Sequence, residues 1–544
     1  MTEPVNEPVL TYAPASPERA SLRAEIARQK STLTCLRSRI GDRQLASSTV
    51  ESVRAPHRHE LEIARAEFVG RSEVQSAIDA ALAAQSSWAA LDLPSRAAIF
   101  RRAAELAAGP FRQRLNAATL LGQSKTPHQA EIDSACELID FLRFNAYFAE
   151  RLAEEKLIST PFEQNRFDFR PLEGFVYAVT PFNFTAIAAN LPTAPALLGN
   201  VVVWKPSPYA LLSAHYVFEL LREAGLPPGV LNLVIGDARE VSDEVLSHTD
   251  FAGLNFTGSS AVFEQLFQRV ASRLGHYKNY PRLVGETGGK DFIVAHSSAD
   301  LDALAVAILR GGFEYQGQKC SAASRVYVPR SLAAALEARL LELVGTIRVG
   351  DPENFENFMG AVIGRAAYDR ITGAIERAKS DPQCRIVFGG EADDRDGFFI
   401  NPTLIEVKAS PHFLLSEELF GPVVAMLVYD DDRYDEVLRA CDADSRYALT
   451  GSIFAEDQAA IDLASRTLRF AAGNFYINDK PTGAVVGQQP FGGARRSGTN
   501  DKAGCIFHLL RWISPRVTKH NLRPPKNYRY PFLEPDDPNP KGTP

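Results

Sequence analysis

Six cysteines in 544 residues, at Cys35, Cys136, Cys320, Cys384, Cys441 and Cys505, are too scattered for a disulfide framework. None stands in a C-x-x-C pair, so no zinc or other metal site is expected, and a reducing, cytoplasmic location is. No apolar run reaches the length of a membrane span. The opening residues Met1-Thr2-Glu3-Pro4-Val5-Asn6-Glu7 are acidic and carry proline, unlike a signal or transit peptide. Charge of one sign is also missing: 59 basic against 66 acidic residues leave −7, with no like-charge block to suggest nucleic acid or a membrane surface. The dinucleotide fingerprint G-x-G-x-x-G is absent from the strand–helix junction Thr257-Gly258-Ser259-Ser260-Ala261-Val262.

What remains is an ordinary globular composition, 45% hydrophobic and 23% charged, in a chain too long for one core. Residues 1–20, rich in Pro and Glu, are expected to wrap a surface. From Ser72 to Leu121 the apolar spacing is helical, and a further helix is expected over about Ala130 to Arg151. Residues 157–174 break at Pro161 and Pro171, as an extended arm does. Short apolar runs then alternate with helical stretches: 175–179, 201–205, 231–235 and 251–256, followed by a second series from Asp291 through 326–328, 423–427 and 450–454. That alternation predicts an α/β fold with two doubly wound parallel sheets. The tail from Arg511 has no helical period and reads as a second arm.

Two windows carry chemistry. Gln316-Gly317-Gln318-Lys319-Cys320-Ser321 offers a thiol, and Gly285-Glu286-Thr287-Gly288-Gly289-Lys290-Asp291 a carboxylate. A thiol that attacks a carbonyl and a carboxylate that later activates water together oxidise an aldehyde to an acid. The thiol needs an electropositive, accessible setting, which Lys319 and the glycine-flanked loop allow. Both windows resemble the signatures of the aldehyde dehydrogenase superfamily.

That resemblance implies the fold of the superfamily, two doubly wound α/β domains with a small β-flap for oligomerisation. It divides the chain into a helical lead and first part of an NAD-binding domain (1–156), a first arm (157–174), the NAD-binding core (175–289), a catalytic domain (290–485), a return segment (486–510) and a C-terminal arm (511–544). Asn183, in Thr180-Pro181-Phe182-Asn183-Phe184, is implied to hold the developing oxyanion together with the Cys320 N–H. NAD is the implied cofactor. Its implied contacts are Thr180, Pro181, Phe182, Lys205, Ser207, Gly258, Ser259, Ser260, Ala261, Val262, Glu286, Thr287, Gly288, Glu418 and Phe420. Pro208 stands where many NAD-preferring members carry an acidic residue three positions after the lysine.

Thr482-Gly483-Ala484-Val485-Val486-Gly487-Gln488-Gln489-Pro490-Phe491 and Ser497-Gly498-Thr499-Asn500-Asp501-Lys502 resemble the Δ1-pyrroline-5-carboxylate dehydrogenases within that superfamily. The resemblance implies oxidation of L-glutamate γ-semialdehyde to L-glutamate in proline catabolism. Gly483, Ala484 and Ser321 would hold the substrate carboxylate, where neutral donors suit an anion. Glu137 would face its ammonium, Phe184 and Phe491 would flank its aliphatic stem, and Lys319 would complete the pocket. A homo-oligomer, at least a dimer, and functional coupling to a proline dehydrogenase are also implied. The competing readings are another acidic semialdehyde, such as succinate semialdehyde, and a catalytically silent structural member.

Overall fold

The computed structural model describes residues 2–534, so the end of the expected C-terminal arm, 535–544, lies outside the described residues. Two seven-stranded sheets organise the chain. The first runs, edge to edge, Arg282–Glu286, Phe251–Thr257, Phe175–Val179, Val201–Lys205, Leu231–Leu233, Ser38–Ile40 and Arg43–Leu45. Its first five strands are parallel and the last two antiparallel. Val201–Lys205 is buried throughout, which is why its sequence is an unbroken apolar run ending in one lysine.

From Phe175–Val179 the chain builds outward one way through 201 and 231, then returns to build the other way through 251 and 282. The strand order therefore reverses between Phe175–Val179 and Phe251–Thr257. Connections diverge at such a point and leave a crevice at the carboxyl ends of the strands. Thr180-Pro181-Phe182-Asn183, Lys205 and Thr257-Gly258 all lie on that edge.

The second sheet runs Cys384–Phe388, Thr403–Val407, Val423–Tyr429, Ala323–Pro329, Asp291–Ala295, Thr450–Phe454 and Asn474–Ile477. Only Cys384–Phe388 is antiparallel to its neighbour. Here the chemistry-bearing loops lead into strands rather than out of them: Glu286–Lys290 before Asp291, Cys320 before Ala323, Glu418 before Val423. The carboxyl edge of the first sheet thus meets the amino edge of the second. Asn183 Nδ2 donates to the Gln318 carbonyl at 3.0 Å, and the Phe182 and Phe420 rings meet edge-on at 5.9 Å.

Helices Arg71–Ala90, Leu93–Ala108 and Arg112–Gln123 fall where the apolar spacing places them. Helix Glu137–Ala153 buries Leu138, Ile139, Phe141, Leu142 and Phe144, and a π-helical turn, Glu131–Cys136, precedes it. Residues 34–68 correct the expected helical lead, since five strands lie there. Thr34–Leu36, Thr49–Ala55 and Arg58–Phe68 form a separate three-stranded sheet, and the other two extend the first large sheet. The helix formers Glu, Leu, Ala and Arg fill Arg58–Phe68, and strand pairing overrides their propensity. The two arms pair with each other: Glu163–Arg170 runs antiparallel to Ser514–Asn521, with Arg170 opposite Ser514. Among the described residues no helix is long and apolar enough to cross a membrane.

Candidate active site

Cys320 sits at the end of a contorted loop. Tyr315, Gln316 and Gly317 take consecutive left-handed conformations, with φ of 51°, 56° and 64°. A non-glycine residue there costs on the order of 1–3 kcal/mol and persists only where its surroundings dictate it. Two glutamines do so. Gln316 Nε2 donates to the carbonyls of Ser124 (3.1 Å) and Ala361 (2.8 Å), and its Oε1 accepts from Gly360 N at 3.0 Å. Gln318 Oε1 accepts from Ile363 N at 2.9 Å. The loop also needs Gly289, because a Cβ there would lie 2.0 Å from the Cys320 carbonyl oxygen.

The thiol's setting departs from expectation. Burial, then the carboxyls of Asp291, Glu286 and Glu418, hold Cys320 well above the ordinary thiol range. Lys319 does not offset them. Its side chain turns away, with Nζ 3.4 Å from Asp133 and 5.8 Å from the centre of the Phe184 ring. Neighbouring residues on a turn point in different directions, so adjacency in sequence carried no charge to the sulfur. Glu286 is itself raised by burial and by Asp501, against Lys502, and its Oε2 has no hydrogen-bond partner. Asp291, in sequence only a strand start, is pushed up to about 8 by burial and accepts from Thr450 N at 2.7 Å. Burial at this end of the cleft thus works against charge on the thiol and on its neighbouring carboxyls.

Along the first sheet's edge, helix Ser260–Ala271 begins with Ser259 as its cap, Oγ accepting from Val262 N at 3.3 Å. Ser260 Oγ accepts from Gly288 N at 3.3 Å, tying that helix start to the Glu286 segment. Thr287 Oγ1 donates to the Arg496 carbonyl at 2.6 Å. Glu418 Oε1 accepts from Gly289 N at 2.8 Å. Lys205 is buried, its pKa lowered to about 8 by burial, and its ammonium donates to the adjoining Pro206 carbonyl at 3.3 Å. Asp237 is the charge that partly offsets that burial. Ser207 caps the short turn Pro208–Ala210. Capped helix start, buried ammonium and half-buried Glu418 carboxylate form a row of donors and acceptors that fits a dinucleotide.

At the other end of the cleft lies a cluster that sequence reasoning only half saw. Lys125, wholly buried, bonds Asp133 Oδ2 at 2.5 Å and sits over two rings, Phe184 at 4.3 Å and Tyr315 at 4.2 Å. Burial lowers its pKa to about 8. Asp133 is pushed up by burial but ends below its usual range because Lys125 and Lys319 flank it. Glu137, half-buried at the start of its helix, is raised by burial and Asp133 and drawn back by Lys125 and Lys319. Ser124-Lys125-Thr126 lies between the two helical stretches read from sequence, and nothing in it singles out the lysine. Only its landing against Phe184 and Tyr315 turns it into a buried ammonium.

Ser321 and Thr482 share a hydrogen bond of 2.8 Å, which brings Gly483 and Ala484 beside the cysteine loop. Gly483 is exposed, with φ +94°. Phe491 exchanges both backbone hydrogen bonds with Ala503, and a Cβ on the next residue, Gly492, would lie 3.1 Å from Glu286 Oε1. The cleft thus gathers the expected thiol, carboxylates, amide, dinucleotide row and loop.

Residues 44–515 match the aldehyde dehydrogenase family. Mouse mitochondrial delta-1-pyrroline-5-carboxylate dehydrogenase is 46% identical over 530 residues, 97% of this chain and 94% of that protein. The crystal structure of the Mycobacterium tuberculosis delta-pyrroline-5-carboxylate dehydrogenase bound with NAD superposes with a TM-score of 0.95 at 50% identity, over 98% of this chain and 99% of that one. Proline utilization A from Bdellovibrio bacteriovorus superposes with a TM-score of 0.91 at 30% identity, over 95% of this chain but 53% of that one.

Proposed function

The chain belongs to the aldehyde dehydrogenase family, and from that premise we infer that it oxidises L-glutamate γ-semialdehyde, the open form of Δ1-pyrroline-5-carboxylate, to L-glutamate with NAD, in proline catabolism. The observation that carries the substrate is the charge pattern around Phe184. Two lysines and two carboxyls, Lys125, Lys319, Asp133 and Glu137, gather by Phe184, and the Ser321–Thr482 hydrogen bond ties the small-residue loop Gly483–Ala484 beside the cysteine loop that carries Lys319. A substrate with one ammonium and one carboxylate at the end remote from its aldehyde satisfies such a pocket. Succinate semialdehyde lacks the ammonium and leaves Glu137 unanswered.

Bound NAD supplies the hydride acceptor. Lys205, Ser207 and Glu418 would hold its ribose groups, the Gly258–Val262 junction its pyrophosphate, and Thr180, Pro181, Phe182, Thr287, Gly288 and Phe420 the walls around them. The chain's own residues do the rest. Cys320 gives up its thiol proton to solvent as Sγ bonds to the aldehyde carbon. The Asn183 amide and the Cys320 N–H stabilise the oxygen that gains charge, an effect worth about 3–4 kcal/mol where such donors are removed. After oxidation Cys320 carries a thioester. Glu286, ionised for this step, then takes a proton from the water whose oxygen joins the acyl carbon and returns it to the departing Cys320 sulfur, so that the thiol is restored and the acid released. The carbon has lost a hydride and gained an oxygen from water.

The chain is also proposed to act as a homo-oligomer, at least a dimer. A two-stranded ribbon is marginal on its own, and this one exposes Val517, with exposed Phe162 just before its first strand. The edge strand Asn474–Ile477 likewise presents Ile477 to solvent, with exposed Phe470 nearby in sequence. Sedimentation at the monomer mass at micromolar concentration is the contrary result. A cytoplasmic location is proposed on the six free cysteines, and functional coupling to a proline dehydrogenase on the order of the two reactions. The test of the activity is NAD reduction by the wild-type protein with Δ1-pyrroline-5-carboxylate and, separately, with succinate semialdehyde. Glutamate formed in step with NADH, and a kcat/KM higher for the first substrate, are expected; equal or reversed values reject the substrate.

A further inference from the structure

We propose that Asn6 is a positioning residue that clips the Gly483–Ala484 loop to the helix carrying Glu137, so that recognition of the amino-acid end depends on a segment remote in sequence from both. The proposal rests on the substrate reading above. Residues 2–10 have no helix or strand, yet they are held by specific bonds. Asn6 Nδ2 donates to Asp140 Oδ2 at 2.8 Å and to the Val486 carbonyl at 2.9 Å, while Asn6 Oδ1 accepts from Gln488 Nε2 at 2.8 Å. One side-chain amide therefore joins helix and loop from both of its ends.

Both anchor points sit close to the recognition groups. Asp140 is three residues after Glu137 and so on the same helix face. Val486 is two residues after Ala484. Just after Val486, Gly487 lies flush on the helix: with φ +81°, its Cβ would stand 2.3 Å from the Phe144 ring. Docking at Phe144 fixes how near the loop comes, and the Asn6 amide fixes where it sits along the helix. Asp140 is pushed up by burial and drawn back by Asn6 and the Glu7 N–H, which donates to Oδ1 at 2.8 Å. Removing the amide leaves that carboxyl and the Val486 carbonyl each short of a donor.

Asn6 can be removed without undoing the strap. The Glu7 carboxylate bridges Arg112 at 2.6 Å and Arg143 at 2.7 Å, and Leu10 N and the Tyr12 hydroxyl bond Glu131 at 2.9 and 2.8 Å. Those links stay in Asn6→Ala. What changes is the registration of two groups that must hold one ligand at both ends, and such misplacement weakens binding steeply. An aldehyde with neither ammonium nor carboxylate touches neither group.

The test is steady-state kinetics on the full chain at saturating NAD. For Asn6→Ala, KM for glutamate semialdehyde should rise ~10-fold, about the worth of one or two hydrogen bonds. Its kcat and both constants for propanal should stay within about twofold. Asn6→Gln, which keeps the amide, should recover part of the loss. Gln488→Ala should give a smaller rise, and the double variant less than the sum of the two, because both act through one link. A wild type with no preference for glutamate semialdehyde over propanal would show that the substrate reading is wrong. A preference that survives Asn6→Ala intact, equal losses on both substrates, or additive Asn6 and Gln488 effects would overturn the clip alone.

Discussion

The two ends of the cleft treat charge in opposite ways. Around Cys320 the flanking groups are carboxyls, Asp291, Glu286 and Glu418, and burial holds the thiol protonated. Around Phe184, ammonium and carboxyl groups alternate, so Lys125, Asp133 and Lys319 stay paired despite deep burial. At one end burial works against charge on the thiol and carboxyls; at the other, ion pairs keep charge in place. On the function proposed, the first would suit any aldehyde and the second would select which one. Chemistry and selection should therefore come apart under mutation.

The largest expected effect lies at the chemical end. Cys320→Ala should lower NADH formation by more than ~10³-fold with every aldehyde, since no other thiol can carry the acyl group. Calorimetry should show NAD still binding. Activity retained at a few per cent of wild type would put the nucleophile elsewhere.

Glu286→Gln should cut steady-state turnover by ~10²–10³-fold while leaving a stoichiometric burst of NADH where proton uptake by water suffices for the first step. The acyl group stranded on Cys320 should appear as an added mass on the intact protein. Unchanged turnover would remove Glu286 from the mechanism.

Lys125→Met belongs to the other end. It leaves Asp133 with Lys319 alone, and kcat/KM for glutamate semialdehyde should fall about tenfold, the scale of one charge-assisted contact. Propanal should change by no more than about twofold. A fall shared by both aldehydes would mean that the lysine supports the Tyr315 loop rather than the substrate.

The smallest effect is on stability. Glu286 has a folded pKa above its ordinary value, so the fold disfavours its ionised form. As pH rises from the ordinary carboxylate range toward the folded value, the unfolded chain gives up its proton first and stability falls. Glutamine does not titrate. Glu286→Gln should therefore melt about a degree higher than wild type at pH 8 and no higher at pH 4, with the active-site carboxylate trading stability for function. A gap that does not widen with pH would show that the burial cost is relieved elsewhere.

Much of the chemical end was legible in the sequence, because its residues stand in fixed, glycine-flanked words. The turn at Gln316–Cys320 and the close approach at Gly289 both demand those words. The apolar runs at 175–179, 201–205 and 251–256 likewise exposed the first sheet, since a strand covered on both faces carries few polar residues to disguise it, here Lys205 and Asn255. Arg58–Phe68 was hidden because its charged residues are good helix formers and its partners lie elsewhere in the chain. Lys125 and Asp133 were invisible for a related reason. Their burial is made by Phe184 and Tyr315, distant in sequence, and no local pattern marks a lysine that packing will enclose. The charge of Lys319 was misjudged because adjacency gives no side-chain direction.

The separation of the two ends is tested most directly at Glu137, the carboxyl that would meet the substrate ammonium. Glu137→Ala should lower kcat/KM for glutamate semialdehyde by about ten- to a hundredfold, as loss of a charge-assisted contact of ~1.5–3 kcal/mol requires. Succinate semialdehyde and propanal, measured on the same preparation, should each change by no more than about threefold. Equal losses on all three would contradict the account, making Glu137 a structural residue and leaving the amino group unread.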